Sequence, residues 1–271
     1  MSGRRSTLVA ALMAAGTLAA ASTAQAAERQ CAGVIGPETV HDDLVVPAGL
    51  VCDLAGTRVL GNTRVEESAE LYAEQAELAG NVDAAPGGYV DLFETTVAGT
   101  VRLNDSLGLS AESGSVGNID SRAADFIDLF GARVVGNVKV TGPGTAVFGE
   151  ALDVGGNLEA TGADYFDLYD SLVNGTFRVR DNDSGSIFCG NTLNGNSEFT
   201  NNRTLLTIGS PDQACDGNRL NGNVLVQGNT SETEISDNDV GGNLTCRRNA
   251  PPPVGGGNRV EGNKEGQCRA L

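Results

Sequence analysis

The sequence predicts an all-β protein, a single chain wound into a right-handed parallel β-helix (solenoid) of about eleven coils of 19–20 residues. Three observations predict it: a recurring Gly-Asn or Gly-Thr unit, Val-rich alternation after each unit, and six cysteines whose separations follow the same period. The unit is x-[Val/Leu]-x-Gly-[Asn/Thr], and its glycines are Gly61, Gly80, Gly99, Gly117, Gly136, Gly156, Gly175, Gly195, Gly222, Gly242 and Gly262. They step by 19, 19, 18, 19, 20, 19, 20, 27, 20 and 20 residues. A fixed period of this length marks a repeat architecture and outranks local propensity.

In chain order, residues 1–26 read as a secretory signal peptide. Arg4 and Arg5 supply the positive region, an apolar stretch runs from Leu8 to about Ala21, and Ala24-Gln25-Ala26 fits the small-x-small cleavage rule. The mature chain then begins at Ala27. The apolar stretch is too short for a membrane anchor, and no second one follows, so no transmembrane segment is expected in the mature chain. Arg4-Arg5 lacks the hydrophobic-Lys continuation of a twin-arginine signal, which favours the general secretory route. Residues 27–56 are assigned to an N-terminal cap and first coil, and residues 57–250 to the β-helix. Residues 251–271 are assigned to a loop opened by Pro251-Pro252-Pro253 and a closing coil.

Within a coil, the pattern after the glycine alternates, as in Asn137-Val138-Lys139-Val140 and Asn223-Val224-Leu225-Val226. Period-two alternation rich in Val is a strand signal. Gly supplies the positive φ of a tight corner. Asn tolerates the same region and hydrogen-bonds its neighbours. Stacking at ~4.8 Å brings equivalent Asn side chains into a ladder. One coil cannot bury its own apolar positions, whereas a stack gives them a continuous core. The single long step contains Ser210-Pro211-Asp212-Gln213-Ala214, which reads as a surface insertion. The Leu framework of leucine-rich repeats is missing, and the Gly, Asn and Val content excludes helical repeats.

Six cysteines in an exported chain point to three disulfides. Cys31 and Cys52 are 21 residues apart, Cys189 and Cys215 are 26 apart, and Cys246 and Cys268 are 22 apart. Each separation is close to one repeat, or to one repeat plus an insertion. Cys189-Gly190-Asn191 and Cys215-Asp216-Gly217-Asn218 occupy matching places in their coils, apart from one inserted Asp. The expected pairs are Cys31–Cys52, Cys189–Cys215 and Cys246–Cys268, with the outer two closing the exposed ends of the stack.

Without Arg4 and Arg5, 16 basic residues stand against 35 acidic ones, a formal charge of −19. Nucleic acid is a poor partner for such a surface, and so is an anionic membrane. Cations, neutral glycans and basic proteins remain, and the charge by itself keeps an exported protein soluble.

Asp43-Leu44-Val45-Val46-Pro47-Ala48-Gly49, the Gly-Asn coils and Gly255-Gly256-Gly257-Asn258-Arg259-Val260-Glu261-Gly262 resemble exported β-helical repeat proteins of high-GC Gram-positive bacteria. The resemblance spans nearly the whole mature chain. It implies the fold and the compartment, secreted or cell-wall associated, and it assigns no catalytic residue. The architecture is also similar to bactofilins and pectate-lyase-like proteins, at the level of fold only.

A second pattern emerges when the residues ten, eight and six places before each repeat glycine are aligned. They are Glu70, Tyr72 and Glu74; Tyr89, Asp91 and Phe93; Phe126, Asp128 and Phe130; Ala146, Phe148 and Glu150; and Tyr165, Asp167 and Tyr169. In the shortened coil they are Gly108, Ser110 and Glu112. The interleaved residues, such as Val90, Leu92, Ile127 and Leu129, are apolar. Side chains alternate across a strand, and burying a column of carboxylates is costly. The acid-and-ring set is therefore expected to face outward, as a wall about six coils long. It fits a binding surface for a cell-wall or extracellular glycan, or a Ca²⁺ site built on carboxylate oxygens. It also fits packing against a loop, the N-terminal segment or a second copy, or a solvated face with no role.

Little else points to chemistry. His41, the one histidine, lies in the cap beside Asp42 and Asp43. A catalytic triad or histidine-based metal centre would have this residue alone to draw on, so no resident metal or cofactor is assigned. The Gly-rich corners lack Walker spacing and its Lys. The enzymatic alternative is a polysaccharide lyase or hydrolase using Asp91, Asp128 and Asp167. Their expected spacing of ~9.6 Å, two coils, is at the long limit for an inverting carboxylate pair. The preferred expectation is a non-catalytic structural, adhesive or glycan-contacting protein.

Overall fold

The structure is a computed structural model and describes residues 28–209 and 215–271. The expected signal peptide and the expected insertion at 210–214 lie outside the described residues.

The chain is an all-β solenoid of about 12 turns, roughly 19 residues per turn, with every strand paired in parallel to strands of the neighbouring turns. A typical turn lays down three strands, as in β8 (Glu70–Glu74), β9 (Glu77–Leu78) and β10 (Val82–Ala84). The first strand of each turn stacks into a twelve-stranded sheet, from β2 (Gly33–Ile35) to β33 (Val254–Gly256). The other two join a 23-stranded sheet that wraps the remaining sides. The structure has one turn more than the eleven the glycines mark. Asp42-Asp43 replaces Gly-Asn in the first turn, yet Asp43 plays the Asn part: its Oδ1 accepts the Asn62 N–H at 2.7 Å.

Inward side chains form one core running the length of the rod. The interleaved residues of the acid-and-ring strands, among them Leu71, Val90, Leu109 and Ile127, are fully buried. At mid-length the core turns aromatic. Phe166, Phe177, Phe188 and Phe199 stack with successive ring centroids 5.9, 5.4 and 5.1 Å apart. Burying each such ring is worth about 1.5–3 kcal/mol.

The repeat glycines do not serve as the sequence implied. None of them has a positive φ. They are glycine because the neighbouring turn leaves no room for a side chain. A Cβ on Gly80 would stand 2.4 Å from the Gly61 carbonyl oxygen, and one on Gly175 would stand 2.5 Å from Asn157 Oδ1. The left-handed corners lie five residues earlier. Glycine fills some of them, as at Gly56 and Gly131, but Gln75, Glu94, Ala151, Asp170 and Asp237 fill others.

The Asn beside most repeat glycines forms the expected outer ladder, with Thr100 and Thr176 at two places. The Asn81 N–H donates to Asn62 Oδ1 at 3.0 Å, and the Asn157 N–H donates to Asn137 Oδ1 at 2.8 Å. Two further ladders run inside the C-terminal half. One is Asn191, Asn218, Asn238 and Asn258; the other is Asn182, Asn202, Asn229 and Asn249, all buried. Asn191 donates both its backbone N–H and its Nδ2 to Asn218 Oδ1, each at 3.0 Å, and Asn218 does the same to Asn238 at 3.1 and 2.9 Å. The buried amides are thereby satisfied from turn to turn, except at the head of the second ladder, where Asn182 Oδ1 has no hydrogen-bond partner among the described residues. In the N-terminal half, the first ladder's position holds Thr57, Ala76, Thr95, Gly114, Ala132, Leu152 and Ser171 instead.

The wide sheet carries an alternating charge column: Arg64, Asp83, Arg102, Asp120, Lys139, Glu159, Arg178 and Glu198 occupy one register position on successive turns. Arg178 pairs with Glu159 at 2.6 Å and Glu198 at 3.1 Å. The cysteines join as Cys31–Cys52, Cys189–Cys215 and Cys246–Cys268, with Cα separations of 5.5, 5.8 and 5.1 Å. The last of these ties a 3-10 turn, Gln267–Ala270, to the final coils.

Candidate functional site

The twelve-stranded sheet presents the acid-and-ring wall. Its relevant strands are β5 (Val51–Ala55), β8, β11 (Tyr89–Phe93), β13 (Gly108–Glu112), β15 (Phe126–Phe130), β18 (Ala146–Glu150) and β21 (Tyr165–Tyr169). They pair with no register shift. The middle column accordingly reads Asp53, Tyr72, Asp91, Ser110, Asp128, Phe148, Asp167. The column on the C-terminal side of the strands reads Glu74, Phe93, Glu112, Phe130, Glu150, Tyr169.

These columns repeat every second strand. Tyr89-Asp91-Phe93, Phe126-Asp128-Phe130 and Tyr165-Asp167-Tyr169 are three ring-Asp-ring strands. Between them lie strands that end in Glu. All the residues predicted for the wall face outward: Tyr72, Phe93 and Phe130 are exposed, and Tyr89, Asp91, Phe126, Asp128, Phe148, Tyr165, Asp167 and Tyr169 are partly exposed. Asp53 is the member that the six-coil alignment omitted. It lies eight residues before Gly61, so the same spacing rule extended by one coil locates it.

The rings form two chains. Tyr72 meets Tyr89 edge-on at 5.7 Å, and Tyr89 meets Phe126 at 5.8 Å across the intervening Gly108 strand. Phe130, Phe148 and Tyr169 follow one another at 5.2 and 5.6 Å. Such contacts add to simple burial and hold the rings in place. Two tyrosines also orient their own strand's acids. Tyr72 donates its hydroxyl to Glu70 at 2.7 Å, and Tyr89 donates to Asp91 at 2.9 Å.

The electrostatics are one-sided. No Lys, Arg or His occurs in any of the twelve strands. The described ion pairs engage acids on other parts of the rod, such as Asp83, Glu159 and Glu198. Among the described residues, Asp53, Asp91, Asp128 and Asp167 form none. Burial raises the Asp128 carboxyl above the ordinary carboxylate range. Burial raises Asp167 as well, against a 2.9 Å hydrogen bond from the Ile187 N–H that works the other way. Burial, and then the hydrogen bond to Asp91, pushes the Tyr89 phenol up. Burial also raises Tyr165, with Asp128 and Asp167 adding to it.

Among the described residues, no group of three or more His, Cys, Asp or Glu is placed to hold a metal ion. His41 lies between β3 (Thr39–Val40) and β4 (Asp43–Val46) of the wide sheet, away from the wall. The wall is a broad surface with a shallow depression at Asp53, Tyr72, Glu74, Asp91 and Phe93. It offers fixed ring faces and carboxylate acceptors at regular intervals. Among the described residues, no helix is long and apolar enough to cross a membrane. Compared with protein families, with curated proteins and with solved structures, the chain matches none.

Proposed function

We propose that this is a non-catalytic exported protein whose acid-and-ring wall is its contact surface, acting at the cell exterior as an adhesive or structural element that engages glycan. One observation carries the reading: rings and unpaired carboxylates stand in register over seven consecutive strands of a single sheet. Sugars present apolar faces that stack on rings and hydroxyls that donate to carboxylates. An isolated exposed ring needs no explanation, but a contiguous patch does. The three disulfides fit an oxidising, extracellular setting.

A glycan array probed with the mature protein and with the Asp128→Ala, Phe130→Ala variant tests the reading. The expected result is retention of wild type and loss of signal in the variant. Equal behaviour of the two, with thermal melts matched, would exclude the wall as the contact surface.

A carbohydrate-active enzyme using the Asp column is the second reading. The burial that raises Asp128 and Asp167 supports it. Release of reducing ends or unsaturated products from polysaccharide, abolished in Asp128→Asn, would favour it over the first.

A further inference from the structure

On the wide sheet several acids meet arginines: Asp83 with Arg102, Glu159 with Arg178, Asp239 with Arg259. On the wall, the Asp column has no cation among the described residues, although Asp128 and Asp167 are partly desolvated. Carboxylates withdrawn from water without a counter-charge are costly. A cationic ligand laid on the column would offset that cost.

The spacing narrows the ligand further. Aspartates recur every second strand at Asp53, Asp91, Asp128 and Asp167. The rings Phe93, Phe130 and Tyr169 recur on the same strands as the last three. The axial period is therefore two strand spacings, ~9.6 Å. In a β-1,4-linked hexose chain each sugar is turned over relative to the last, so equivalent groups return every second sugar, a repeat close to that period. An extended peptide strand returns to one face every ~6.6 Å and falls out of step within a few rungs. A second copy of this wall is disfavoured, because two acid faces repel.

We infer that the wall takes a cationic amino-sugar polymer, an extended β-1,4-linked chain with free amines. The chain lies along the solenoid axis, with ammonium groups over the Asp column and sugar faces against the rings of alternate strands. The ammonium of every second sugar gains a carboxylate partner and a neighbouring π face, and aromatic rings attract cations when desolvated. This inference rests on the glycan-contact reading and names the class of glycan.

The test measures binding of the full mature protein to four probes in a mildly acidic buffer. These are a glucosamine oligomer long enough to span three Asp rungs, its N-acetylated counterpart, a neutral β-1,4-glucan, and a Pro-Pro-Lys repeat peptide. The peptide's polyproline II helix brings a lysine to one face every ~9.3 Å, so it matches charge and period without sugar. The expected result is affinity for the glucosamine oligomer at least about tenfold above the other three. Asp91→Asn, Asp128→Asn, Asp167→Asn should abolish that preference, and Phe93→Leu, Phe130→Leu should weaken binding. Glu77→Gln on the wide sheet should leave it unchanged, and thermal melts verify the fold of each variant.

Equal binding of all three glycans overturns the amino-sugar inference and leaves the glycan reading standing. Binding of none of the glycans overturns both. Peptide binding as tight as glucosamine binding, unaffected by the Phe→Leu changes, overturns the inference in favour of charge alone.

Discussion

The ring of Phe126 covers Gly108. A Cβ at that glycine would stand 2.7 Å from Phe126 Cε1. Phe126 thereby crosses the shortened coil to reach Tyr89 at 5.8 Å, and the first ring chain stays continuous. Gly108→Ala should force the ring aside, costing about 1–3 kcal/mol as overpacking does. Phe126→Ala in the same chain should remove most of that penalty. A double-mutant cycle by thermal melting measures the coupling, and additive effects would show that the ring has room to move.

The two kinds of corner predict opposite responses to one methyl group. Gly80→Ala places a Cβ against the Gly61 carbonyl, and the backbone cannot give way cheaply. A loss of more than ~2 kcal/mol is expected. Ala151 sits at φ 52, in the left-handed region. Ala151→Gly should therefore stabilise, by about 0.5–1 kcal/mol, since relief of left-handed strain outweighs the entropy glycine adds. Denaturant midpoints of the two variants decide the matter.

The buried Asn ladder should be far less tolerant than the outer one. Asn218→Ala removes the acceptor of both Asn191 donors and leaves a cavity, and a cost of about 2–4 kcal/mol follows. Asn157→Ala on the outside strands the N–H of Thr176, where water can replace the lost oxygen, so about 1 kcal/mol or less is expected. Similar losses at the two sites would mean that the inner ladder is hydrated.

The wall's carboxyls set a pH dependence of defined sign. Asp128 and Asp167 titrate higher folded than unfolded, so the folded state holds their protons more tightly. Their contribution favours folding in acid and is lost as pH climbs from the unfolded value of ~3.9 through the raised folded values. Asp128→Asn, Asp167→Asn should therefore melt higher than wild type at neutral pH, with the gap closing below about pH 4. Partial solvation keeps the effect below ~1 kcal/mol. A gap independent of pH would show that it comes from packing instead.

Much of this was legible in the sequence because a solenoid writes its geometry at a fixed period. The glycine ruler located the coils, paired Cys189 with Cys215 across the long step, and aligned Asp91 with Asp128 and Asp167. What it missed has physical causes. The first turn carries Asp42-Asp43 in place of Gly-Asn, so a count of glycines passes over it. The reason for the glycines was also misread, since close approach by Gly61 to Gly80 is a contact between turns that no local propensity reports. The inner ladders at Asn182 and Asn191 escaped because Asn reads as a turn residue unless burial is known. The ring chains depend on side-chain reach across Gly108, which strand alternation alone does not encode.

The ladders also give the rod a direction. In the outer one, an Asn Oδ1 accepts the N–H of the turn that follows, as Asn62 does from Asn81. In the inner ones the N–H is completed by the turn that follows: one ladder runs to Asn258, and in the other Asn249 finds Gln267 of the 3-10 turn in place of another Asn. A ribosome delivers these turns in order. Turns in the C-terminal half thus emerge with an interior amide unfinished until the successor has been made, and Gln267 is the full stop of the ladder that ends at Asn249.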